Sequence, residues 1–200
     1  MTISIYQILF LVLTYLIAAI PFGLVLAKIF TKTDIRTLGS KNIGATNVAR
    51  VLGKKIGFAT LVLDGLKGAI MIIIARFTFF EAHDLHLFLG LVAAIAVIGH
   101  VYPVYLSFKG GKGVATTVAV LLALDPLVGV LVICVWIIIF CLFRTSSISS
   151  LIGAFSSIFL SLFMNAPISQ IVVCSFLFFI ILIRHKENIS RLLAGEEKKL

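Results

Sequence analysis

Charged residues are scarce in this chain, and acidic residues are the scarcest. Of 200 residues, 17 are Lys or Arg and only 8 are Asp or Glu, whereas 61% are hydrophobic. The mean hydropathy is +1.20. This composition excludes an ordinary soluble protein and indicates an integral membrane protein. The length allows about seven spans of roughly 20 residues each, which leaves no room for a separate soluble domain.

The few carboxylates are also spread too widely to hold a hard cation. Asp34, Asp64, Asp84 and Asp125 are scattered over both predicted faces of the membrane. A magnesium-dependent phosphatidyltransferase would need several clustered carboxylates, so that class is disfavoured. We expect neither a metal ion nor another cofactor.

Three signatures of other protein classes are missing as well. The three cysteines, at 134, 141 and 174, lie in apolar stretches without a C-x-x-C pair, which is typical of small core residues. No His is followed five positions later by Asp, the spacing of the His-x4-Asp acyltransferases. Gly113 stands where a Walker A loop has the Ser or Thr that holds magnesium, so nucleotide hydrolysis is not indicated.

Long apolar runs are the feature that the chain does have. They predict spans at about 4–27, 56–78, 87–106, 114–124, 127–143, 148–164 and 168–183. The fold class is therefore an all-α bundle of seven transmembrane helices in a single polytopic domain, 1–200. The first run lacks a basic n-region and is expected to remain as the first helix. The run at 114–124 is only about 16 Å long as a helix, which favours a tilted or partly re-entrant segment.

Basic residues are distributed asymmetrically between the loops. Fifteen of the 17 Lys and Arg residues fall at one face of the seven-span arrangement, and the connections on the other face carry none. The positive-inside rule then places the N-terminus outside and the C-terminus in the cytoplasm. The positive-inside rule explains most of the Lys and Arg residues, so the net charge of +9 does not indicate a nucleic-acid partner.

A glycine-rich loop with two lysines, Phe108-Lys-Gly-Gly-Lys-Gly113, lies between two apolar segments. Glycines allow successive backbone N–H groups to turn toward one anion, and Lys109 and Lys112 supply the countercharge. The helix predicted from residue 114 would point its positive dipole end into the same loop. We therefore predict a phosphate site formed by Gly110, Gly111, Lys112 and Gly113.

The first cytoplasmic loop is rich in small polar side chains. Its candidates for binding a phosphorylated polyol are Ser40, Asn42, Thr46, Asn47 and Arg50. An Arg presents a planar fork of donors to phosphate oxygens, while Ser, Thr and Asn can bind hydroxyl groups. A solvated interfacial loop without a ligand is the alternative interpretation of this composition.

Two ionisable residues lie inside the second span. Asp64 and Lys67 are three residues apart, so they share a helix face and are predicted to form a structural ion pair.

Near the C-terminus, His185, Asn188 and Arg191 also recur at helical spacing and could line a site. A juxtamembrane basic anchor for anionic headgroups is the alternative there, although an anchor does not need His185.

Taken in order, these segments resemble the bacterial membrane glycerol-3-phosphate acyltransferases that use acyl phosphate. The resemblance covers nearly the whole chain and depends on four segments. They are Gly39-Ser-Lys-Asn-Ile-Gly-Ala-Thr-Asn-Val-Ala-Arg50, Asp64-Gly-Leu-Lys-Gly68, Gly99-His-Val-Tyr-Pro103 with Phe108-Lys-Gly-Gly-Lys-Gly-Val-Ala-Thr116, and Arg184-His-Lys-Glu-Asn-Ile-Ser-Arg-Leu192 with Gly195-Glu196. The family pattern has Gly where this chain has Lys41.

The resemblance implies an activity and a location. The reaction would transfer a fatty acyl group from acyl phosphate to the sn-1 hydroxyl of glycerol 3-phosphate, giving lysophosphatidic acid and inorganic phosphate, in phospholipid synthesis. It implies a seven-helix protein of the bacterial cytoplasmic (inner) membrane with its site on the cytoplasmic face. The expected partners are the two substrates and membrane lipid, with no nucleic acid; protein partners are not indicated.

The resemblance also implies roles for the candidate residues. The catalytic set would be Ser40, Arg50, Lys112, His185 and Asn188. The substrate-binding set would be Asn42, Thr46, Asn47, Gly110, Gly111, Gly113 and Arg191. Because acyl phosphate is already activated, direct attack by the alcohol is expected, with His185 or a substrate phosphate oxygen as the proton acceptor.

Two other function classes remain as alternatives. A small transporter of a phosphorylated metabolite could use the same Arg, Lys and His residues, but internal repeats are absent from the sequence and the outer halves of the spans are almost wholly apolar. A scaffold that recruits lipid enzymes through its basic face would leave the glycine-rich loop unexplained.

Overall fold

The computed structural model describes residues 3–197 and residue 199, which form helices and no strand. The α-helices in this part of the chain are α1 (Ile5–Ala18), α2 (Phe22–Thr31), α3 (Ala45–Leu52), α4 (Lys54–Thr78), α5 (Leu85–Val101), α6 (Val114–Leu124), α7 (Pro126–Phe143), α8 (Ser146–Phe163), α9 (Ile168–Arg184) and α10 (Lys186–Leu193). Short 3-10 helices occupy Ile35–Thr37 and Val104–Leu106.

Several stretches of the described chain have the length and apolarity of membrane spans, as the composition predicted. Five stretches of the described chain can cross a bilayer, and the pair α9 and α10, bent by 61°, gives a sixth if it is one span. The five are Ile5–Thr31, Lys54–Thr78, Leu85–Leu106, Pro126–Phe143 and Ser146–Phe163. Helix α6 is apolar but has only 11 residues. The all-helical membrane fold is therefore confirmed, while the count of seven crossings and the orientation of the termini stay predictions.

The first predicted span, 4–27, is not one helix. The chain leaves the helical path between α1 and α2 at Pro21, whose nitrogen carries no hydrogen to continue the ladder of backbone hydrogen bonds. At this break the carbonyl oxygen of Ile20 accepts hydrogen bonds from Lys67 Nζ at 2.7 Å and from the N–H of Phe22 at 3.2 Å. The predicted first span is present as one candidate crossing, Ile5–Thr31, but the break at Pro21 within it was not predicted.

Helix α4 is central to the packing and contacts α1, α2, α3, α5 and α6. Its glycines allow α6 to approach closely. A Cβ placed at Gly68 would lie 2.8 Å from Thr116 Cγ2 and 2.9 Å from Val120 Cγ1, both on α6. Such spacing leaves no room for a side chain at Gly68. Helix α6 is thereby held against the bundle although it is too short to cross a bilayer alone.

The two ends of the bundle differ in what they hold. At one end, Arg76 donates hydrogen bonds of 3.0 Å to the carbonyl oxygens of Ala123 and Leu124, and Asp125 caps the start of α7. At the other end, which we call the basic end, three segments meet. They are the connection from α2 to α4, the connection from α5 to α6, and α10 with the residues that follow it.

Candidate active site

A cavity of about 710 Å³ lies where the three segments of the basic end meet. Eleven of the residues predicted from the sequence line it. They are Ser40, Asn42, Thr46, Asn47, Arg50, Asp64, Lys112, Gly113, His185, Asn188 and Arg191. Gly110, Gly111 and Lys67 are not among the lining residues. The fold thus brings together candidates that are up to about 150 residues apart in the sequence.

The glycine loop (residues 109–113) has a different geometry from the predicted anion nest. The N–H of Gly110 donates to the carbonyl oxygen of Val101 at 3.1 Å, and the N–H of Gly111 donates to that of His100 at 3.2 Å. These two donors are therefore occupied by the end of α5 and do not point at an anion, which corrects the prediction for Gly110 and Gly111. Gly113, with φ of +86°, starts α6 and lines the cavity.

Arg184 holds the glycine loop through the backbone carbonyl groups of that loop. Its guanidinium donates to the carbonyl oxygen of Gly111 at 3.2 Å and to that of Gly110 at 3.0 Å. The guanidinium also lies over the ring of Tyr102, 5.7 Å from the centroid. Sequence reasoning placed Arg184 only in a motif and missed this contact, because nothing local in the chain connects it with the loop.

Lys112 is the loop residue whose charge reaches the cavity. Its Nζ donates a hydrogen bond to Asn188 Oδ1 on α10. Burial lowers the pKa of Lys112 to about 8, although the nearby Glu197 carboxylate opposes this shift. A partly desolvated ammonium group interacts more strongly with an incoming anion than one in water.

The first loop is organised by one buried amide. Asn47, 2% exposed, accepts a hydrogen bond of 2.8 Å from the N–H of Ser40 with its Oδ1. Its Nδ2 donates to the carbonyl oxygens of Asn42 at 2.8 Å and Leu38 at 3.0 Å. With donors and acceptor engaged, Asn47 shapes the loop and has little capacity left for a ligand.

Other residues of this loop are better placed for a ligand. Ser40, Thr46 and Arg50 are exposed and line the cavity. The hydroxyl of Thr46 lies 3.4 Å from that of Ser146 at the start of α8, so the loop closes one side of the cavity. Lys41, where the family pattern has Gly, adopts a φ of +59°, in the left-handed region that glycine favours.

His185 lies at the junction of α9 and α10 and is 2% exposed. Its Nδ1 is 2.8 Å from the carbonyl oxygen of Ile181. Because a carbonyl oxygen can only accept, this contact assigns the hydrogen to Nδ1 and leaves Nε2 as an acceptor. Burial and then the charge of Lys112 lower the pKa of His185 to about 4, so the ring is neutral at pH 7.

Glu197 is a cavity residue that sequence reasoning missed. Its carboxylate accepts hydrogen bonds from Ser147 Oγ at 2.8 Å, from Asn188 Nδ2 at 2.5 Å and from Arg191 Nε at 2.7 Å. Burial raises the pKa of Glu197, but these three donors outweigh burial and lower it. The carboxylate therefore fixes α10 against the start of α8.

The ion pair predicted in α4 is present, and its Asp64 lines the cavity. Asp64 Oδ1 is 2.8 Å from Lys67 Nζ, and both side chains are almost fully buried. His100 Nδ1 is 3.6 Å from the same carboxylate oxygen. The hydroxyl of Thr116 donates to the carbonyl oxygen of Asp64 at 2.9 Å, which connects the pair to α6. In the described residues, no three His, Cys, Asp or Glu side chains come together as a metal site requires.

The rest of the cavity is an apolar arm between α4, α6 and α7. It is lined by Leu61, Val62, Leu66, Val118, Ala119, Leu122, Ile133, Trp136 and Ile137. The indole N–H of Trp136 donates to Ser150 Oγ at 3.2 Å, which keeps its polar atom satisfied within this apolar wall. A hydrocarbon chain is the ligand that such a surface would accept, beside a polar part suited to an anion.

Comparisons with known proteins agree on one family. Residues 8–195 match the family model described as glycerol-3-phosphate acyltransferase. The chain is 44% identical over 200 residues to the glycerol-3-phosphate acyltransferase of Listeria monocytogenes serotype 4a (strain HCC23), covering 100% of this chain and 98% of the relative. It is 41% identical over 190 residues to that of Dechloromonas aromatica (strain RCB), covering 95% and 94%.

Two crystal structures have the same fold. Both are of PlsY (YgiH), an integral membrane glycerol 3-phosphate acyltransferase, and both are 37% identical to this chain. The glycerol 3-phosphate form has a TM-score of 0.91 and covers 98% of this chain and 96% of its own. The lysophosphatidic acid form has a TM-score of 0.89 and covers 98% and 95%.

Proposed function

The chain belongs to the glycerol-3-phosphate acyltransferase family, and we propose that it takes its acyl group from acyl phosphate. The reaction joins that acyl group to the sn-1 hydroxyl of glycerol 3-phosphate and gives lysophosphatidic acid and inorganic phosphate. One observation carries the proposal: a single cavity combines an apolar arm with a polar part that holds Arg50, Lys112 and Arg191. An acyl phosphate and glycerol 3-phosphate together have this combination of one hydrocarbon chain and two phosphates.

The polar part supplies charge for both phosphates. Arg50 is exposed and lines the cavity from α3, whereas Lys112 and Arg191 are connected with each other through Asn188 and Glu197. Planar guanidinium groups bind phosphate oxygens in pairs, whereas an ammonium group acts as a point charge. We assign glycerol 3-phosphate to Arg50, Ser40 and Asn42, with Thr46 beside them, and the leaving phosphate to Lys112 and Gly113 at the start of α6.

The transfer needs no covalent enzyme intermediate. The sn-1 oxygen attacks the acyl carbonyl carbon, the bond from that carbon to the phosphate oxygen breaks, and the hydroxyl proton leaves with the attack. Because phosphate is a good leaving group, positioning and charge stabilisation are sufficient to accelerate this step. Lys112 neutralises the charge that develops on the departing phosphate.

His185 orients the attacking hydroxyl in this scheme. The bond from Nδ1 to Ile181 leaves Nε2 as the acceptor, and Asn188, three residues further along, lines the same cavity. With a pKa of about 4, His185 accepts a hydrogen bond but is a weak base. The proton therefore passes to a phosphate oxygen of a substrate, and His185 holds the hydroxyl in line.

The site belongs on the cytoplasmic face of a bacterial cytoplasmic membrane. The support for this placement is the excess of Lys and Arg at the basic end together with their absence from the connections at the opposite end. The N-terminus would then be outside and the C-terminus inside, with α6 as the fourth of seven crossings, although its 11 residues are too few to span a bilayer alone.

The donor is tested by offering alternatives to the purified protein in detergent. We expect palmitoyl phosphate to give lysophosphatidic acid, and palmitoyl-CoA to give none at equal concentration, since the acyl carbon of the thioester is bonded to sulfur and has no adjacent phosphate for Lys112 to bind. Product from palmitoyl-CoA at a comparable rate would contradict the donor assignment. Turnover in detergent also excludes a transporter as the sole function, because no compartments are present.

A further inference from the structure

His100 stands out as a buried polar residue without a role in the scheme above. It lies in the last turn of α5, is 4% exposed, and lines the cavity. Among the residues that the structure describes, its Nδ1 has no hydrogen-bond partner. The 3.6 Å to Asp64 Oδ1 is longer than a hydrogen bond. A buried, unpaired nitrogen costs free energy, so the ring needs another reason for its place.

The imidazole ring of His100 lies directly against the glycine loop. A Cβ at Gly111 would collide with His100 Nε2 and would lie 2.8 Å from Cε1 and 3.1 Å from Cδ2. The backbone of the two residues is joined as well, since the N–H of Gly111 donates to the carbonyl oxygen of His100. The ring therefore forms the surface on which residue 111 lies, one residue before Lys112.

The ring is held in turn by α4. Asp64 lies beside its Nδ1, and Asp64 is fixed by Lys67 at 2.8 Å and by Thr116, whose hydroxyl bonds its carbonyl oxygen at 2.9 Å. Lys67 is anchored to the carbonyl oxygen of Ile20 at 2.7 Å. A chain of contacts thus runs from the break between α1 and α2, through α4, to the glycine loop.

We propose that His100 is a positioning residue for the glycine loop: its ring sets the distance of residue 111 from α4 and so places the Lys112 ammonium over the cavity. The proposal rests on the proposed function, in which Lys112 binds the leaving phosphate. Misplacement of a catalytic group by about 1 Å can cost a hundredfold in rate, so a spacer of this kind matters for turnover as well as for folding.

The contact between a ring and a glycine allows a double-mutant cycle. Gly111→Ala should push the loop away from the ring, whereas in His100→Ala the added methyl group has space. The φ of Gly111 is outside the left-handed region, so alanine is compatible with the backbone. We expect Gly111→Ala to lower kcat/KM about tenfold more in the wild-type background than in His100→Ala, which is within the usual range of coupling between contacting residues.

Gly110 provides a matched control in the same loop. A Cβ at Gly110 would meet the carbonyl oxygens of His100 and Val101 and the ring of Pro103, which His100→Ala does not remove. The loss caused by Gly110→Ala should therefore be equal in both backgrounds. His100→Gln, which retains a polar side chain of similar reach, should recover part of the activity lost in His100→Ala. His100→Ser, which also removes the ring, replaces His100→Ala in the cycle if the alanine variant does not fold.

The readout separates positioning from a general effect on folding. Steady-state kcat and KM for each substrate are measured with palmitoyl phosphate and glycerol 3-phosphate, beside thermal unfolding in detergent. Coupling in kcat/KM without equal coupling in the unfolding temperature supports the proposal. Additive losses, or His100→Ala with wild-type kcat/KM, overturn it while wild-type turnover still supports the proposed function. Wild-type protein without turnover would refute the proposed function itself, and the proposal with it.

Discussion

Lys112 and Asn188 are 76 residues apart in the sequence, yet the lysine ammonium donates a hydrogen bond to the amide oxygen inside the cavity. This bond connects the glycine loop with α10. The amide nitrogen of Asn188 donates to Glu197, so the amide has a single orientation that presents its oxygen to the lysine. The position of the Lys112 charge consequently depends on the docking of the C-terminal helix.

Removal of this amide should damage catalysis more than folding. In Asn188→Ala, Lys112 loses its partner and becomes free to swing out of the cavity. A hydrogen bond to a charged group contributes about 1.5–3 kcal/mol, so we expect kcat/KM to fall about 10- to 100-fold. Initial rates with palmitoyl phosphate measure this loss. Ser190→Ala, on the exposed side of the same helix, serves as the control and should retain activity.

The pKa of Lys112 predicts an alkaline limit to activity. With a pKa of about 8 in the substrate-free protein, the ammonium group loses its proton above that pH, so kcat/KM should decline from about pH 8 upward. Lys112→Arg keeps its charge throughout this range and should remove the decline, whatever its absolute rate. An unchanged alkaline limb in Lys112→Arg would show that another group causes it.

The lowered pKa of Lys112 should also make the stability of the protein depend on pH, and stability should rise with pH where activity falls. An unfolded Lys titrates near its ordinary value of 10.5, so between about pH 8 and 10.5 the unfolded chain binds more protons than the folded one. The contribution of Lys112 to the free energy of unfolding therefore rises with pH in this window. Thermal unfolding of wild type relative to Lys112→Met across the window should show this trend, and a fall would contradict the burial argument.

Lys41 offers a stabilising substitution. Its φ of +59° costs a residue with a Cβ about 1–2 kcal/mol, a strain that glycine avoids. Glycine loses more entropy on folding, which offsets part of this gain. We expect Lys41→Gly to raise the unfolding temperature slightly and to leave kcat unchanged, since the side chain is exposed and does not line the cavity. A clear drop in stability would mean that the lysine side chain has a stabilising contact.

Glu197 should be required for the arrangement of α10. Glu197→Ala removes the shared acceptor of Ser147, Asn188 and Arg191, so the segment after α10 should detach and the orientation of Asn188 should be lost. Loss of both activity and resistance to a protease that cleaves near the C-terminus is expected. Glu196→Ala, at an exposed neighbour, is the control. Full activity in Glu197→Ala would contradict this role.

The sequence predicted the parts of this molecule that depend on local patterns. Apolar runs located the spans, and the motif residues around Arg50, Lys112 and Asn188 do meet in one cavity. Contacts over long distances were not accessible: nothing in the chain connects Arg184 with the carbonyls of Gly110 and Gly111, or Glu197 with Ser147. The break at Pro21 could have been predicted, because a proline inside a helix removes a backbone donor.

The predicted anion site at the N–H groups of Gly110 and Gly111 differs from the structure for a related reason. Glycine content shows that backbone N–H groups can turn, but it does not show toward what. In the structure, the carbonyl oxygens at the end of α5 accept from Gly110 and Gly111 because the last carbonyls of a helix lack partners within it. The charge of Lys112 and the start of α6 at Gly113 are what remains for an anion.

In the proposed reaction, Lys112 supports acyl transfer from acyl phosphate to glycerol 3-phosphate in this cavity. The most direct test measures lysophosphatidic acid and phosphate released by the detergent-purified protein from palmitoyl phosphate and glycerol 3-phosphate. Lys112→Ala is compared with Lys109→Ala, an exposed lysine of the same loop that does not line the cavity. We expect equal amounts of both products from the wild type and from Lys109→Ala, and none above background from folded Lys112→Ala. Wild-type activity in Lys112→Ala, or no lysophosphatidic acid from folded wild-type protein, would contradict the account.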